Sequence, residues 1–199
     1  MRARRLAGLS GVLVMGVLLA EEAKPAVYAV EGGKLASIVV RSVTDLEDIV
    51  TTTHDVTGSI TCDRAKDTGS ISLTVPVKSL DTGIPARNGH LMGEPWLNAE
   101  KFPEILFKST GVKDATAAGA KLEGLLTLHG VEKPIVLDVT INGVGKDPWG
   151  NVRAAFSATT QIRRKDFGMN WNQALDNGGL LVGDDVKISL EIEGIEKQA

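Results

Sequence analysis

Five stretches of the chain alternate apolar and polar residues with a period of two, and this pattern constrains the fold more than any other feature. Ser70–Lys78 puts Ile71, Leu73, Val75 and Val77 on one face. Lys121–Leu128 does so with Leu122, Gly124, Leu126 and Leu128, and Pro134–Asn142 with Ile135, Leu137, Val139 and Ile141. Val152–Ile162 and Val186–Ile192 repeat the theme, with Lys187, Ser189 and Glu191 turned to water. A strand buried on one side has this period. Successive strands parted by turn residues indicate an antiparallel, all-β chain. A sheet this long with one apolar face packs on a second sheet or closes on itself. Closure into a barrel of about eight strands is favoured, because it removes exposed edges.

The remaining segments fit that plan. Val27–Val30, Leu35–Ser42 and His54–Thr61 read as strands, and Asp67-Thr68-Gly69 as a turn. Val43–Val50 changes period: Val43, Leu46, Ile49 and Val50 recur at helical spacing, and Thr44 with Glu47 has the capping-box pattern, so a short helix is expected there. A second helical turn or two is expected in Ile84–Met92. Pro76 cannot donate to a ladder, so an edge, a bulge or an end of pairing is expected there. Inward positions are mostly Val, Ile, Leu and small residues, with few aromatics in the whole chain. That points to an apolar cavity, although residues that line a pore and residues that fill one alternate alike.

The N-terminus stands apart. Arg2, Arg4 and Arg5 precede the uncharged run Leu6–Ala20, the pattern of a secretory signal peptide over residues 1–20. The run is short for a membrane span, so no stable span is expected after cleavage. Residues 24–199 then form a single exported domain. Without residues 1–20, 19 Lys and Arg face 25 Asp and Glu, a net charge of −6. That balance argues against nucleic acid as a partner. Cys62 is the only Cys, so no intramolecular disulfide holds the fold.

Leu80–Thr110 gathers the unusual chemistry, and three classes of function compete for it: an aspartic-protease-like site, a metal site and the rim of a ligand-binding barrel. Asp81-Thr82-Gly83 matches a protease string, but no second such string supplies the partner carboxylate, so a turn is the plainer reading. His54, His90 and His129 match no zinc spacing. Gly183-Asp184-Asp185 reads as a turn feeding a strand, and Arg163-Arg164 as either a solvated turn or an anion contact at a barrel mouth. Positive signs of catalysis are thin, and no metal or cofactor is expected.

The order Ser79-Leu80-Asp81-Thr82-Gly83, Arg87-Asn88-x-His90-Leu91, Trp96, Lys101-Phe102-Pro103 and Phe107-Lys108-Ser109-Thr110 resembles the YceI-like family. So do Gly124-x-Leu126-Thr127-Leu128-His129-Gly130-Val131-x-Lys133-Pro134, Asp147-Pro148-Trp149-Gly150, Arg164-x-Asp166-Phe167-Gly168 and Val182-Gly183-Asp184-x-Val186. The resemblance implies an extended, lipocalin-like antiparallel barrel with one or two short helices. It implies a periplasmic or secreted protein that holds a long-chain amphipathic lipid, such as a polyisoprenoid or isoprenoid quinone, and a homodimer is compatible with it. Some relatives take fatty-acid-like ligands. The family usually has Arg-Asp where this chain has Arg87-Asn88. On this reading the tail contacts Ile71, Leu73, Phe107 and Phe156. The head lies near Arg87, Asn88, His90, Arg163 and Arg164. The alternatives are a solidly packed barrel with a structural or stress role, and a hydrolase using Asp81.

Overall fold

The computed structural model describes residues 25–33, 35–44, 47–63, 68–176, 179 and 181–197. The expected signal segment over residues 1–20 lies outside these. Ten strand segments appear: β1 (Ala26–Val30), β2 (Ala36–Val43), β3 (Asp48–Thr53), β4 (Thr57–Asp63), β5 (Thr68–Pro76), β6 (Glu104–Lys113), β7 (Gly119–Leu128), β8 (Val131–Lys146), β9 (Val152–Arg163) and β10 (Asp185–Glu196). Among the described residues one α-helix, α1 (Pro85–Met92), joins β5 to β6. Short 3-10 turns cover Val77–Ser79 and Arg164–Phe167.

The segments close an antiparallel barrel of eight strands. From β4 to β10 each segment pairs with the next in the chain. The upper part of β10 pairs with β2, with Val186 opposite Ser42 and Ile192 opposite Ala36. Its end pairs with β1, with Glu196 opposite Tyr28. β2 pairs β3 and β1 pairs β4. Thus β1 with β2, and β3 with β4, are each two halves of one broken strand. Gly58 lets β4 lie close on β5: a Cβ there would sit 2.0 Å from the Ser72 carbonyl oxygen.

Two expectations need correction. Val43–Val50 is not helical: β2 runs to Val43, β3 starts at Asp48, and these two residues pair. The Thr44–Glu47 spacing is real, but it ties a hairpin turn. The Thr44 hydroxyl accepts from the Glu47 amide at 3.0 Å and donates to the Glu47 carbonyl at 2.8 Å. A capping-box pattern and a hairpin tie use the same local bonds, and β2–β3 pairing decides between them. Leu46 lies outside the described residues. Thr68 and Gly69 are not in a turn but in β5, opposite Asp63 and Cys62; Asp67 is outside the described residues.

Pro76 ends β5, as its missing N–H requires, and forms the last β5–β6 pair with Glu104. The chain then turns back, and Asp81 bridges to Thr52 of β3 through two backbone bonds of 2.8 and 2.9 Å. So β3 meets a loop rather than a full strand on this side. The space is occupied by α1, which opens with Pro85 in its first turn.

The interior holds two clusters. The lower one contains Tyr28, Val30, Val56, Ile60, Leu122 and Ala154, and it reaches up to Leu73, Phe107 and Leu190. The upper one gathers Val77, Leu80, Leu97, Ile162, Phe167 and Met169. Cys62 packs partly buried against the lower cluster.

The β8–β9 turn hangs on Asp147. Its carboxylate accepts from the Trp149 amide (2.9 Å), the Asn151 amide (2.9 Å) and side chain (3.0 Å), and Arg153 Nε (2.7 Å). Burial opposes its ionisation, but these donors outweigh burial and draw its pKa from 3.8 to about 2. A carboxylate depressed in the folded state stabilises above its unfolded value, and that contribution is lost as pH falls through the folded one. The thermal midpoint of the wild type is therefore expected to fall between about pH 4 and pH 2 more steeply than that of Asp147→Asn. Parallel pH profiles for the two proteins would show that Asp147 contributes nothing to acid sensitivity.

Candidate ligand cavity

The upper half of the barrel encloses a cavity of about 380 Å³. This lies at the low end of the range for small-molecule sites. Its deep wall is Ile38, Leu73, Phe107, Leu137 and Leu190, and higher up come Val40, Thr51, Leu126 and Ile188. Inward positions of neighbouring strands stand level, so these side chains form successive rings. Phe107 lies over Gly124, where an added Cβ would meet the ring at 2.4 Å. Below the deep wall the barrel is filled: Val56 is fully buried, Ile60 is 2% exposed and Leu122 is 4% exposed. The interior is therefore hollow in one half and packed in the other.

Three segments frame the mouth. α1 presents Arg87, His90 and Leu91, which share a helical face at i, i+3 and i+4. The β2–β3 hairpin presents Glu47, whose Oε1 accepts from Arg87 Nη1 at 2.9 Å. The segment after β9 brings Met169, Trp171, Leu181 and Val182. Trp96 and Trp171 meet across the rim with ring centroids 4.9 Å apart. Glu47, His90 and Trp171 are exposed while lining the cavity, so it opens to solvent there. Arg87 Nε is buried and has no hydrogen-bond partner. A buried donor left unmade costs about 1–3 kcal/mol, and more on a charged group.

Of the residues singled out from sequence, Leu73, Phe107, Arg87, His90 and Arg164 meet at this cavity. Ile71 shares a face with Leu73 but lies one step deeper, against the packed half. Phe156 is deeper still and borders a separate cleft of about 200 Å³ with His54 and Glu191. Arg163 is exposed and off the lining.

Asn88 is committed to the turn. Its Oδ1 accepts from the Thr82 amide (2.8 Å) and hydroxyl (2.6 Å), and its Nδ2 donates to Asp81 Oδ1 at 2.7 Å. An Asp here would set two carboxylates against each other; Asn supplies the donor that Asp81 needs. The Asn88 bond, with the Gly83 amide at 2.8 Å, holds Asp81 below the usual carboxylate range. Asp81 does not face the cavity.

Arg164 reaches the lining but has almost nothing left to give. Its Nε donates to the Gly183 carbonyl (2.9 Å), and Nη1 to the carbonyls of Met169 (2.6 Å) and Trp171 (2.7 Å). Nη2 pairs with Asp184 at 2.9 Å. Four of about five guanidinium N–H groups are thus used, so Arg164 clamps the rim segment together. Asp184, the middle of the Gly-Asp-Asp turn, is also held by Lys165 at 2.7 Å.

His54 and His129 each engage a backbone carbonyl, of Ala36 at 2.9 Å and Phe167 at 3.0 Å. Among the described residues no group of three His, Cys, Asp or Glu could hold a metal ion. Glu47, Thr51 and Trp171 line the cavity without having been singled out for it. Glu47 has the spacing of a helix cap, Thr51 falls between the expected helix Val43–Val50 and the expected strand His54–Thr61, and Trp171 lies in a loop with no period to reveal it.

The comparisons agree with this fold. The YceI-like domain family matches residues 32–194. A UPF0312 protein of Pseudomonas putida (strain W619) is 36% identical over 148 residues, 74% of this chain and 73% of its own length. The YceI protein of Campylobacter jejuni superposes with a TM-score of 0.66 at 28% identity, over 76% of this chain and 87% of that one. A polyisoprenoid binding domain from Saccharophagus degradans shares the fold alone, with a TM-score of 0.61 at 14% identity, over 87% of this chain and 98% of its own. The chain belongs to the YceI-like family.

Proposed function

We propose that this protein binds an amphipathic lipid, with the apolar chain in the cavity and the polar head at the mouth. The observation that carries the reading is an apolar cavity opening beside a buried, unpartnered Arg87 Nε. Each CH₂ taken out of water contributes roughly 0.8 kcal/mol, so affinity does not need many polar contacts. Arg87 is paired with Glu47, so the head requires a hydrogen-bond acceptor but not a full negative charge. His90, exposed on the same helical face, offers a second polar contact. Isoprenoid and quinone lipids have such heads on apolar tails, and the printed name of the Saccharophagus degradans domain supports a ligand of this kind. The apolar stretch Leu6–Ala20 supports export to the periplasm or beyond. Among the described residues no helix is long and apolar enough to cross a membrane. The protein carries or sequesters its ligand and does not transform it.

Native mass spectrometry of the purified protein, followed by lipid extraction, tests this. A bound lipid is expected. Arg87→Ala is expected to weaken its retention about ten- to a hundredfold, the value of a hydrogen bond to a charged group. A wild-type protein that yields no lipid and takes up none would overturn the proposal.

A further inference from the structure

We infer that the cavity admits one apolar chain of only about a dozen carbons, and that the packed side chains beneath Leu73, Phe107 and Leu190 set this limit. The inference rests on the lipid reading above and narrows it to short, single-chain amphiphiles.

Each strand shows the same boundary. On β10, Val186, Ile188 and Leu190 line the cavity, and Ile192 does not. On β2, Ser42, Val40 and Ile38 line it, and Ala36 does not. On β5, Val75 and Leu73 line it, and Ile71 does not. The registers Leu190 with Ile38 and Leu73 with Phe107 put these lowest residues at neighbouring positions around the wall. At ~3.3 Å per residue, Val186 to Leu190 spans only ~13 Å of a strand about 40 Å long. Beneath this floor Val56, Ile60 and Leu122 are buried, and the smaller cleft bordered by Phe156 and Ile192 is separate from the cavity.

Chain length gives the same answer. A backbone spans ~3.6 Å over three bonds, so ~13 Å of lined wall faces about a dozen carbons of an extended chain. A polyisoprenoid of many units would leave most of its length outside the mouth, with its apolar surface in water. A two-chain phospholipid would leave one chain outside. A medium-chain fatty acid or a farnesyl-sized isoprenoid fills the space.

The test is calorimetric titration with saturated fatty acids from about eight to about twenty carbons, alongside farnesol and a longer polyprenol. Affinity is expected to rise about fourfold per added carbon while the chain still finds apolar wall. It is expected to stop rising near about twelve carbons. Leu122→Ala opens the floor by about three carbons and is expected to move the break to longer chains by that amount. Ala158→Leu, opposite Leu190 at the floor, acts in the other sense and moves the break shorter, so the pair remains decisive where one variant fails to fold. Affinity that climbs unbroken to about twenty carbons, or a break that neither variant moves, overturns the length limit and leaves lipid binding standing. Binding of no chain at any length sinks the lipid reading and this inference with it.

Discussion

Arg164→Ala is expected to lower the unfolding free energy by about 3–5 kcal/mol, the usual loss when one partner of a buried ion pair is removed. Arg164 is 3% exposed, and its guanidinium joins four points on two parts of the rim segment: Met169, Trp171, Gly183 and Asp184. Truncation leaves three backbone carbonyls without their donor and opens a gap beside Met169 and Val182. Asp184 keeps Lys165, so the uncompensated charge is partly relieved and the loss should lie nearer the lower figure. Arg164→Lys is expected to restore only part of the stability, because an ammonium is a compact charge and cannot span bonds that diverge from a planar fork. Asp184→Ala should cost less than Arg164→Ala, since the three carbonyl bonds survive it. Urea denaturation followed by Trp fluorescence measures all three, and Trp96 and Trp171 report directly on the rim. An Arg164→Ala protein within ~1 kcal/mol of wild type would mean that the segment is held by its apolar contacts and not by this clamp.

The barrel could be read from sequence because one face of every strand is inside it, and that writes a period of two into the chain. Val186, Ile188, Leu190 and Ile192 declare their side wherever they stand along the axis. The same regularity hides depth. Ile71 and Leu73 are indistinguishable by alternation, yet one packs in the floor and the other lines the cavity. Phe107 and Phe156 part in the same way. Arg87, Asn88 and His90 are named from the polar gathering in Leu80–Thr110 and the family resemblance, and only the helix separates them: Arg87 and His90, three apart, line the cavity, while Asn88 turns to Thr82 and Asp81. Arg164 was legible as a charge but not as a clamp, since its partner Asp184 is 20 residues away in sequence and only the closing of the rim brings them together. The missed hairpin at Thr44–Glu47 has a local cause: four residues and two bonds describe a helix start and a strand turn equally well, and the outcome is decided by β2–β3 pairing.

Phe107→Ala is expected to cost about 3 kcal/mol, the lower end of the range for truncating a buried aromatic residue. Phe107 is 7% exposed and sits between Leu73 and Leu126 across two strand pairings. One side of its ring already faces the cavity, so fewer contacts are lost there than in a filled core. The other side rests on Gly124, and this makes a double-mutant cycle informative. Gly124→Ala alone drives a methyl to within 2.4 Å of the ring and is expected to cost about 1–3 kcal/mol. In the Phe107→Ala background the ring is gone, while the Lys108 carbonyl oxygen, at 2.8 Å, still crowds the new Cβ. The two changes together should therefore cost less than their sum by about 1 kcal/mol. Removing the ring also joins its volume to the cavity, so the variant should take up a bulkier apolar chain even as it loses stability. Additive losses would show that ring and glycine do not press on each other. Unchanged chain preference would show that Phe107 does not bound the space a ligand sees.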